Sequence, residues 1–127
     1  MTNEKKKILV VEDEQTLLEV LSERLTREGF EVSVAKNGEE GLAKIDSEKP
    51  DLVLLDLLMP VMDGIAVLNK LKDKDGKLPV KVIVLTNLND DQNVAKALEN
   101  GATDYLIKSD WKIKDVVAKI IKQLNIK

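Results

Sequence analysis

The sequence predicts an α/β domain, a doubly wound five-stranded parallel sheet in the order 2-1-3-4-5 with five helices packed around it. Short unbroken runs of Val, Ile and Leu alternate five times with longer amphipathic stretches along the 127 residues. Such runs are typical of parallel strands covered on both faces, and alternating strands and helices imply right-handed crossovers. No linker rich in Pro, Gly or Ser divides the chain. We therefore expect one domain over residues 1–127.

Five buried strands are predicted where the apolar runs are short and continuous. In chain order these runs cover residues 6–11, 32–35, 52–55, 80–85 and 105–107. In a doubly wound sheet, ligands bind beyond the carboxyl ends of the strands, where the winding direction reverses. For this strand order the reversal lies between strands 1 and 3, so functional residues are expected at the strand ends.

The first two helices are predicted from their apolar faces and their end residues. The first covers residues 14–28, because leucines at positions 17, 18, 21 and 25 share one face and Gly29 ends it. Asn37 is expected to cap a short second helix that carries Leu42 and Ile45. These helices fill the gaps between the first three strands.

The last three helices are predicted from the same periodicity. The third has apolar residues at positions 65, 68 and 71, ahead of a turn at Asp75-Gly76. The fourth begins at residue 90 or 91, is expected to bury Val94, Ala97 and Leu98, and ends at residue 101. The fifth has the clearest pattern, with apolar residues at positions 113, 116, 117, 120, 121 and 124.

Composition limits the chemistry that this domain can perform. Cys and His are both absent, which excludes disulfides, thiolate nucleophiles, Cys/His zinc sites and imidazole catalysis. Any metal must therefore be bound by oxygen. The net charge is −3, but residues 1–64 contain eight Lys or Arg and fifteen Asp or Glu, whereas residues 65–127 contain twelve and eight. An acidic site is therefore expected in the first half.

Composition also disfavours two classes of partner. Phe30, Tyr105 and Trp111 are the only aromatic residues, which is too few for base stacking, and neither half is strongly basic. We expect no direct binding of nucleic acid. The longest apolar runs are too short for a membrane span, and the Lys-rich start lacks the apolar region of a signal peptide. The expected location is the cytoplasm, with no membrane partner.

Polar residues end four of the predicted strands at one edge of the sheet. Strand 1 ends in Glu12 and Asp13, strand 3 in Asp56, strand 4 in Thr86 and strand 5 in Lys108. Three neighbouring carboxylates would repel one another unless a cation lay among them, and oxygen ligands select Mg²⁺, which favours a phosphate as co-ligand. A lone Asp after a strand is more often a helix cap, and Asp13 alone could be only that. Together they predict a Mg²⁺ site that binds a phosphoryl group.

At these positions the sequence resembles the receiver domains of two-component response regulators, including the single-domain chemotaxis regulators, over essentially its whole length. The resemblance rests on four segments: VVEDE at 10–14, DLLMPVMDG at 56–64, LT at 85–86 and GATDYLIK at 101–108. It implies a flavodoxin-like three-layer sandwich in which residues 1–127 form the phosphoacceptor domain.

The resemblance also implies how the phosphoryl group is bound. Asp56 would accept it from a phosphohistidine on a sensor histidine kinase or phosphotransfer protein. Asp13, Asp56 and the backbone carbonyl of Leu58 would bind Mg²⁺ directly, and Glu12 mostly through water. Phosphoryl transfer needs in-line positioning and neutralisation of the equatorial oxygens. Mg²⁺ and Lys108 would provide that charge and are expected to keep Asp56 ionised.

Two residues would report phosphorylation to the surface. By the resemblance, Thr86 donates a hydrogen bond to the phosphoryl group, and Thr86 and the aromatic Tyr105 on strand 5 shift together. Without the surrounding motif, Tyr105 would be taken as a half-buried ring on an edge strand. The surface formed by helix 4, strand 5 and helix 5 would then bind a downstream protein target or a second copy of the chain.

Three departures from the family pattern affect kinetics and loop geometry. Asn87 stands where a small residue usually follows the Thr, Ser109 stands where Pro usually follows the Lys, and Leu58 and Leu88 are apolar where polar residues are common. The loop over residues 109–111 is about one residue longer than usual. We expect the Lys108–Ser109 bond to be trans, because a cis bond before a residue other than Pro costs about 2.5–4 kcal/mol.

Two other functions remain open on sequence alone. One is a receiver-like module that binds partners without phosphorylation, which is disfavoured because every site position is filled. The other is a metal-dependent phosphatase with an aspartyl-phosphate intermediate, which usually has a second acid where this chain has Leu58. The leading prediction is a signalling domain, not an enzyme, that assists its own phosphorylation and dephosphorylation. It is expected to stand alone, since the last helix ends near Asn125.

Overall fold

The structure is a computed structural model that describes residues 5–87, 90–109 and 111–126. The strands are β1 (Lys7–Val11), β2 (Glu31–Ala35), β3 (Leu52–Asp56), β4 (Lys81–Thr86) and β5 (Asp104–Ile107). The helices are α1 (Gln15–Arg27), α2 (Gly38–Glu48), α3 (Gly64–Leu71), α4 (Asp91–Glu99) and α5 (Ile113–Leu124). In the described part of the chain, no helix is long and apolar enough to cross a membrane.

The five strands form one parallel sheet in the order β2-β1-β3-β4-β5, which confirms the predicted topology. The chain first winds towards one edge of the sheet and then, after β2, towards the other. The reversal lies between β1 and β3, whose backbones pair from Ile8 opposite Leu52 to Val11 opposite Leu55. The carboxyl ends of all five strands meet at one edge, where ligands bind in such sheets.

Two apolar cores cover the sheet, one on each face, because alternate residues of a strand point to opposite sides. Leu9 and Val53 pack with residues of α2, α3 and α4 on one face, and Ile8 and Leu54 pack with residues of α1 and α5 on the other. Full burial of each such side chain contributes about 1.5–3 kcal/mol. The sheet is therefore held rigidly, and the residues at its carboxyl edge are fixed with it.

The predicted helix ends are confirmed where the residue type dictates them. Gly29 has φ +98° and ends α1, a left-handed conformation in which a Cβ would be strained. Asn37 precedes α2, and its Oδ1 accepts a hydrogen bond from the Glu40 N–H at 2.9 Å. Asp63 caps α3 in the same way through the Ala66 N–H, also at 2.9 Å.

The fold agrees with prediction at two strand ends and differs from it in one helix. Asp56 and Thr86 are the last residues of β3 and β4, as predicted, because the backbone ladder continues to Asp56 opposite Leu85 and Thr86 opposite Ile107. The prediction that α4 buries Leu98 is wrong: this side chain is 42% exposed. Leu98 follows the buried Ala97 directly, and successive residues of an α-helix are rotated by about 100° around its axis. The Leu98 side chain therefore points away from the buried side of the helix.

Gly64, the first residue of α3, lies against the end of β3. A Cβ there would be 2.6 Å from the Asp56 carbonyl oxygen and 2.8 Å from the Leu57 Cα. The Gly64 N–H also donates to the Leu57 carbonyl at 3.0 Å. Both close contacts are with backbone atoms, so no change of rotamer can relieve them. The glycine allows the chain to return directly beside Asp56.

Gly64→Ala is expected to lower the free energy of unfolding by about 1–3 kcal/mol, because the added methyl group forces α3 away from β3. Urea unfolding followed by circular dichroism measures the change. Asn69→Ala, an exposed position on the same helix, is the control and should stay within about 0.5 kcal/mol of the wild type. Equal stability of the two variants would show that the junction accommodates a methyl group.

Candidate functional site

Three carboxylates converge at the carboxyl edge of the sheet, at the reversal between β1 and β3. Glu12, Asp13 and Asp56 each present a carboxylate oxygen, and the three oxygens lie within 4.8 Å of one another. Glu12 and Asp56 are buried, with 0% and 1% exposure, while Asp13 is exposed. The predicted acidic cluster therefore exists, and two of its members have been removed from water.

Backbone hydrogen bonds fix the two buried carboxylates. The Glu12 N–H donates to the Ala35 carbonyl at 3.0 Å, and Glu12 Oε2 accepts from the Glu14 N–H at 3.0 Å. Asp56 Oδ1 accepts from the Leu58 N–H at 3.1 Å. In each carboxylate one oxygen is thus held by the loop that follows the strand. The other oxygen, Glu12 Oε1 or Asp56 Oδ2, faces the centre of the cluster.

Lys108 is the cation of the cluster. Its backbone N–H donates to the Thr86 carbonyl at 2.7 Å, which places it directly beyond β5 and beside the end of β4. Its Nζ lies 2.8 Å from Glu12 Oε1 and 2.8 Å from Asp56 Oδ2. The described residues contain no cis peptide bond, so the Lys108–Ser109 bond is trans, as predicted. Asp110, in the loop predicted to be long, lies outside the described residues.

Burial and the neighbouring acid determine the acidity of Asp56. Loss of hydration, followed by the Glu12 carboxylate, raises the pKa of Asp56 from 3.8 to about 7, and Lys108 opposes this shift without overcoming it. Burial lowers the pKa of Lys108, but the contacts with Asp56 and Glu12 outweigh burial and raise it above its ordinary value. Lys108 alone therefore does not restore the ordinary acidity of Asp56.

The donor set fits a hard divalent cation. Glu12 Oε1 and Asp56 Oδ2 are buried and accept no hydrogen bond from the described residues; their only close partner there is the Lys108 ammonium. A single ammonium leaves the charge of three carboxylates incompletely balanced. Carboxylate oxygens are the ligands that Mg²⁺ prefers. The residues present therefore fit Mg²⁺, with Asp13 completing the set from the solvent side.

Thr86 and Tyr105 lie beside this cluster but are not part of it. Thr86 is buried at the end of β4, and its Oγ1 is 3.4 Å from the Asn87 carbonyl, a long contact. Tyr105 is 40% exposed on the edge strand β5. The two residues line one cavity of about 300 Å³ between α4 and β5. This cavity provides space between the buried hydroxyl and the exposed ring.

Of the two apolar departures from the family pattern, Leu58 and Leu88, the structure describes only Leu58. The Leu58 side chain is 47% exposed, while its N–H is held by Asp56. Leu88 lies outside the described residues. Sequence reasoning missed a contact away from the cluster, in which Lys119 of α5 binds Asp104 at the start of β5. The opposite charges were visible in the sequence, but nothing in their spacing indicated that they meet.

Comparison with known proteins places the chain among response regulators. The family described as response regulator receiver domain matches residues 8–121. The alkaline phosphatase synthesis transcriptional regulatory protein PhoP of Bacillus subtilis is 42% identical over 103 residues, which is 81% of this chain and 42% of that protein. The DNA-binding response regulator MtrA of Mycolicibacterium smegmatis is 39% identical over 125 residues, 98% of this chain and 53% of that protein. The chain thus spans about half the length of these relatives.

Solved structures agree with the sequence comparison. A CheY-like response regulator receiver domain protein from Methanospirillum hungatei superimposes with a TM-score of 0.84 at 34% identity, covering 96% of this chain and 95% of that one. A response regulator receiver domain protein from Clostridium thermocellum gives a TM-score of 0.84 at 32% identity, covering 94% of each chain. The similarity therefore extends over essentially the whole fold.

Proposed function

The chain belongs to the response regulator receiver domain family of two-component systems, and on this premise we propose that Asp56 accepts a phosphoryl group from a phosphohistidine. The donor would be a sensor histidine kinase or a phosphotransfer protein. One observation carries the proposal: Asp56 is a buried carboxylate whose Oδ2 lies 2.8 Å from Lys108 Nζ, within the acidic cluster. Receiver domains are signalling domains, so the product of this step is a switched state of the protein.

The proposed transfer is a displacement at phosphorus. An Asp56 carboxylate oxygen forms the new oxygen–phosphorus bond while the phosphorus–nitrogen bond of phosphohistidine breaks and the imidazole leaves with that electron pair. Only the ionised carboxylate is a nucleophile, so the raised pKa of Asp56 must be counteracted by positive charge. Lys108 provides part of that charge and is placed to pair with the equatorial oxygens of the phosphoryl group. The buried edge excludes water from one side of the reacting group.

Receiver domains generally bind Mg²⁺ at an acidic site, and this chain has the corresponding cluster. We assign the metal to Asp13, Asp56 and the Leu58 backbone carbonyl, with Glu12 acting mostly through water. When bound, Mg²⁺ supplies charge that neutralises phosphoryl oxygens and favours the ionised form of Asp56. The assignment of Leu58 rests on the family resemblance, whereas the assignment of Asp13 and Asp56 is also supported by the 4.8 Å cluster.

Phosphorylation would be read at the surface formed by α4, β5 and α5. Thr86 would donate to the phosphoryl group, and Tyr105 would move with it towards the cavity that both residues line. A downstream protein or a second copy would bind the altered surface. MtrA is named as a DNA-binding response regulator, and this chain covers 53% of that protein. We propose no direct contact of these 127 residues with nucleic acid, because they contain only three aromatic residues and neither half is strongly basic.

Phosphorylation by a small donor tests the proposed function directly. Purified protein is incubated with acetyl phosphate with and without Mg²⁺, and intact-mass spectrometry counts the added phosphoryl groups. We expect one group, present only with Mg²⁺. Hydrolysis of acetyl phosphate without a stable adduct would instead support a phosphatase, and neither adduct nor hydrolysis under any condition would support a binding module that is not phosphorylated.

Asp13→Ala is expected to weaken Mg²⁺ binding by at least about tenfold, because loss of even a group outside the ligand shell commonly weakens metal binding by 10–100-fold. Calorimetric titration with MgCl₂ measures the affinity. Glu14→Ala is the matched control: it removes a neighbouring exposed carboxylate whose side chain makes no cap hydrogen bond. An equal, small loss of Mg²⁺ affinity in both variants would mean that Asp13 contributes only negative charge and is not a ligand.

Trp111 is expected to report the phosphorylated state. It is the only tryptophan, it packs against the core beneath α1 and α5, and it lines a groove together with Tyr105. Movement of Tyr105 should change the surroundings of the indole. We expect a shift or quenching of Trp111 emission on addition of Mg²⁺ and beryllium fluoride, a phosphoryl mimic. Unchanged emission, with binding shown by calorimetry, would contradict the coupling.

A further inference from the structure

Asp104 and Lys119 form a polar contact around Tyr105 that the proposed function does not use. Asp104 Oδ1 accepts a hydrogen bond from the Tyr105 backbone N–H at 2.8 Å and lies 2.9 Å from Lys119 Nζ. The same Nζ lies 5.6 Å from the centre of the Tyr105 ring. One cation therefore binds both a carboxylate beside Tyr105 and the face of its ring, which links α5 to the edge strand β5.

Tyr105 lies between two spaces, and Lys119 is on only one side of it. With Trp111 and Lys119, the ring lines a groove of about 410 Å³ along α5. With Thr86 and Val94, it also lines the 300 Å³ cavity on the side of α4. A ring that moves towards Thr86 must therefore leave Lys119. The cation–ring contact is available only to the exposed arrangement.

We propose that Lys119, anchored by Asp104, is a positioning residue that holds the Tyr105 ring in its exposed arrangement and thereby weakens binding of the phosphoryl group. This inference rests on the proposed function, because it assumes that Tyr105 moves towards Thr86 when Asp56 is phosphorylated. The contact stabilises one state alone, so its loss must favour the other state by the same free energy.

The expected size follows from the exposure of the contact. A cation over an exposed aromatic ring contributes about 0.5–1 kcal/mol, and a factor of ten in affinity corresponds to about 1.4 kcal/mol. Removal of the Lys119 ammonium should therefore tighten binding of the phosphoryl mimic by about two- to fivefold. The ion pair with Asp104 is half-buried, and its role is to fix the position of Nζ.

The experiment compares variants of the full chain. Calorimetric titration with beryllium fluoride in saturating Mg²⁺ gives the affinity, and three-bond NMR couplings of Tyr105 give its side-chain rotamer populations without any phosphoryl mimic. Lys119→Met should bind the mimic two- to fivefold more tightly and populate the exposed rotamer less, while Lys119→Arg should restore both values. Lys122→Met, an exposed lysine on the same helix, makes the same change of charge away from the ring and should leave both unchanged.

A double-variant comparison tests the anchor. Asp104→Asn keeps an oxygen for the Tyr105 N–H but removes the charge that fixes Lys119, so it should shift both measurements in the same direction as Lys119→Met. The double variant should shift them no further than Lys119→Met alone. Unchanged Tyr105 couplings in Lys119→Met would overturn the proposal, as would altered couplings with an unchanged affinity for the mimic. Failure of the wild type to bind the mimic at all would overturn the proposed function, and the regulatory part of this proposal with it, while the couplings would still test the contact itself.

Discussion

Asp56→Asn is expected to abolish phosphoryl uptake from acetyl phosphate and, in EDTA at pH 8, to make the folded protein more stable. The amide is not a nucleophile, so no adduct can form. The amide also needs no balancing cation, whereas the native carboxylate is buried beside Glu12 with its pKa raised from 3.8 to about 7. A pKa shift of this size corresponds to an increase of the order of 2–4 kcal/mol in the free energy of unfolding of Asp56→Asn at pH 8.

The gain should depend on pH in a defined direction. Because the folded-state pKa of Asp56 is raised, the folded protein holds a proton that the unfolded chain has already lost between about pH 4 and pH 7. The stability of the wild type should therefore fall as the pH rises through this range. Asp56→Asn carries no such proton, so its advantage should be near zero at pH 4 and complete above pH 7. Saturating Mg²⁺ should reduce it, since the metal stabilises the wild type.

Urea unfolding at several pH values in EDTA measures this effect, and intact-mass spectrometry measures uptake. Asp46→Asn is the matched control, because the Asp46 side chain is 91% exposed. The substitution removes only an exposed ion pair, in which Asp46 Oδ1 lies 3.8 Å from Lys49 Nζ. It should be phosphorylated like the wild type and change stability little. Uptake by Asp56→Asn at the wild-type rate would mean that another residue is the nucleophile. A stability difference that does not vary with pH would mean that burial of the charge is not its source.

The carboxyl edge of the sheet could be predicted because topology alone fixes it. Once the apolar runs establish parallel strands in the order 2-1-3-4-5, the strand ends that carry Glu12, Asp56 and Lys108 lie at the same edge of the sheet, whatever the details of the helices. The helix ends at Gly29 and Asn37 were predictable for a similar reason, because the left-handed φ and the side-chain cap are local properties. Local rules and topology therefore account for the fold and for the acidic cluster.

Features that depend on the rotation of a helix about its axis could not be predicted. Leu98 fits the apolar pattern of α4, yet the helix is turned so that only its neighbour Ala97 is buried. The contact of Lys119 with Asp104 depends in the same way on how α5 lies against β5. The raised pKa of Asp56 could not be predicted either, since it reflects burial first and the approach of Glu12 second, with Lys108 opposing both. Sequence patterns assign residues to faces, but side-chain distances decide the chemistry.

Leu58→Asn is expected to shorten the lifetime of the phosphorylated state. Hydrolysis needs a water molecule in line with the bond between Asp56 and phosphorus, and the family resemblance places Leu58 and Leu88 beside that path. An apolar side chain cannot hydrogen-bond the water. A group that positions or deprotonates the attacking water contributes about 10²–10⁴-fold, so we expect an increase in the rate of phosphate loss towards the lower end of that range. The half-exposed Leu58 side chain can be replaced at little cost in stability.

The lifetime is measured after removal of acetyl phosphate by following the decay of the phosphorylated mass. Val61→Asn is the matched control: it makes a similar apolar-to-amide change in the same loop, at a side chain that is 84% exposed and at a left-handed φ of +69° that Asn tolerates well. Asn87→Ala tests whether the Asn87 amide already orients the attacking water. If it does, the phosphorylated state of this variant should last longer than that of the wild type. Leu88→Glu introduces a polar group at the second position that the family resemblance assigns to this path. If Leu58→Asn and Leu88→Glu lose phosphate no faster than Val61→Asn, the apolar side chains do not control the lifetime, and access of water to the buried edge of the sheet becomes the limiting step.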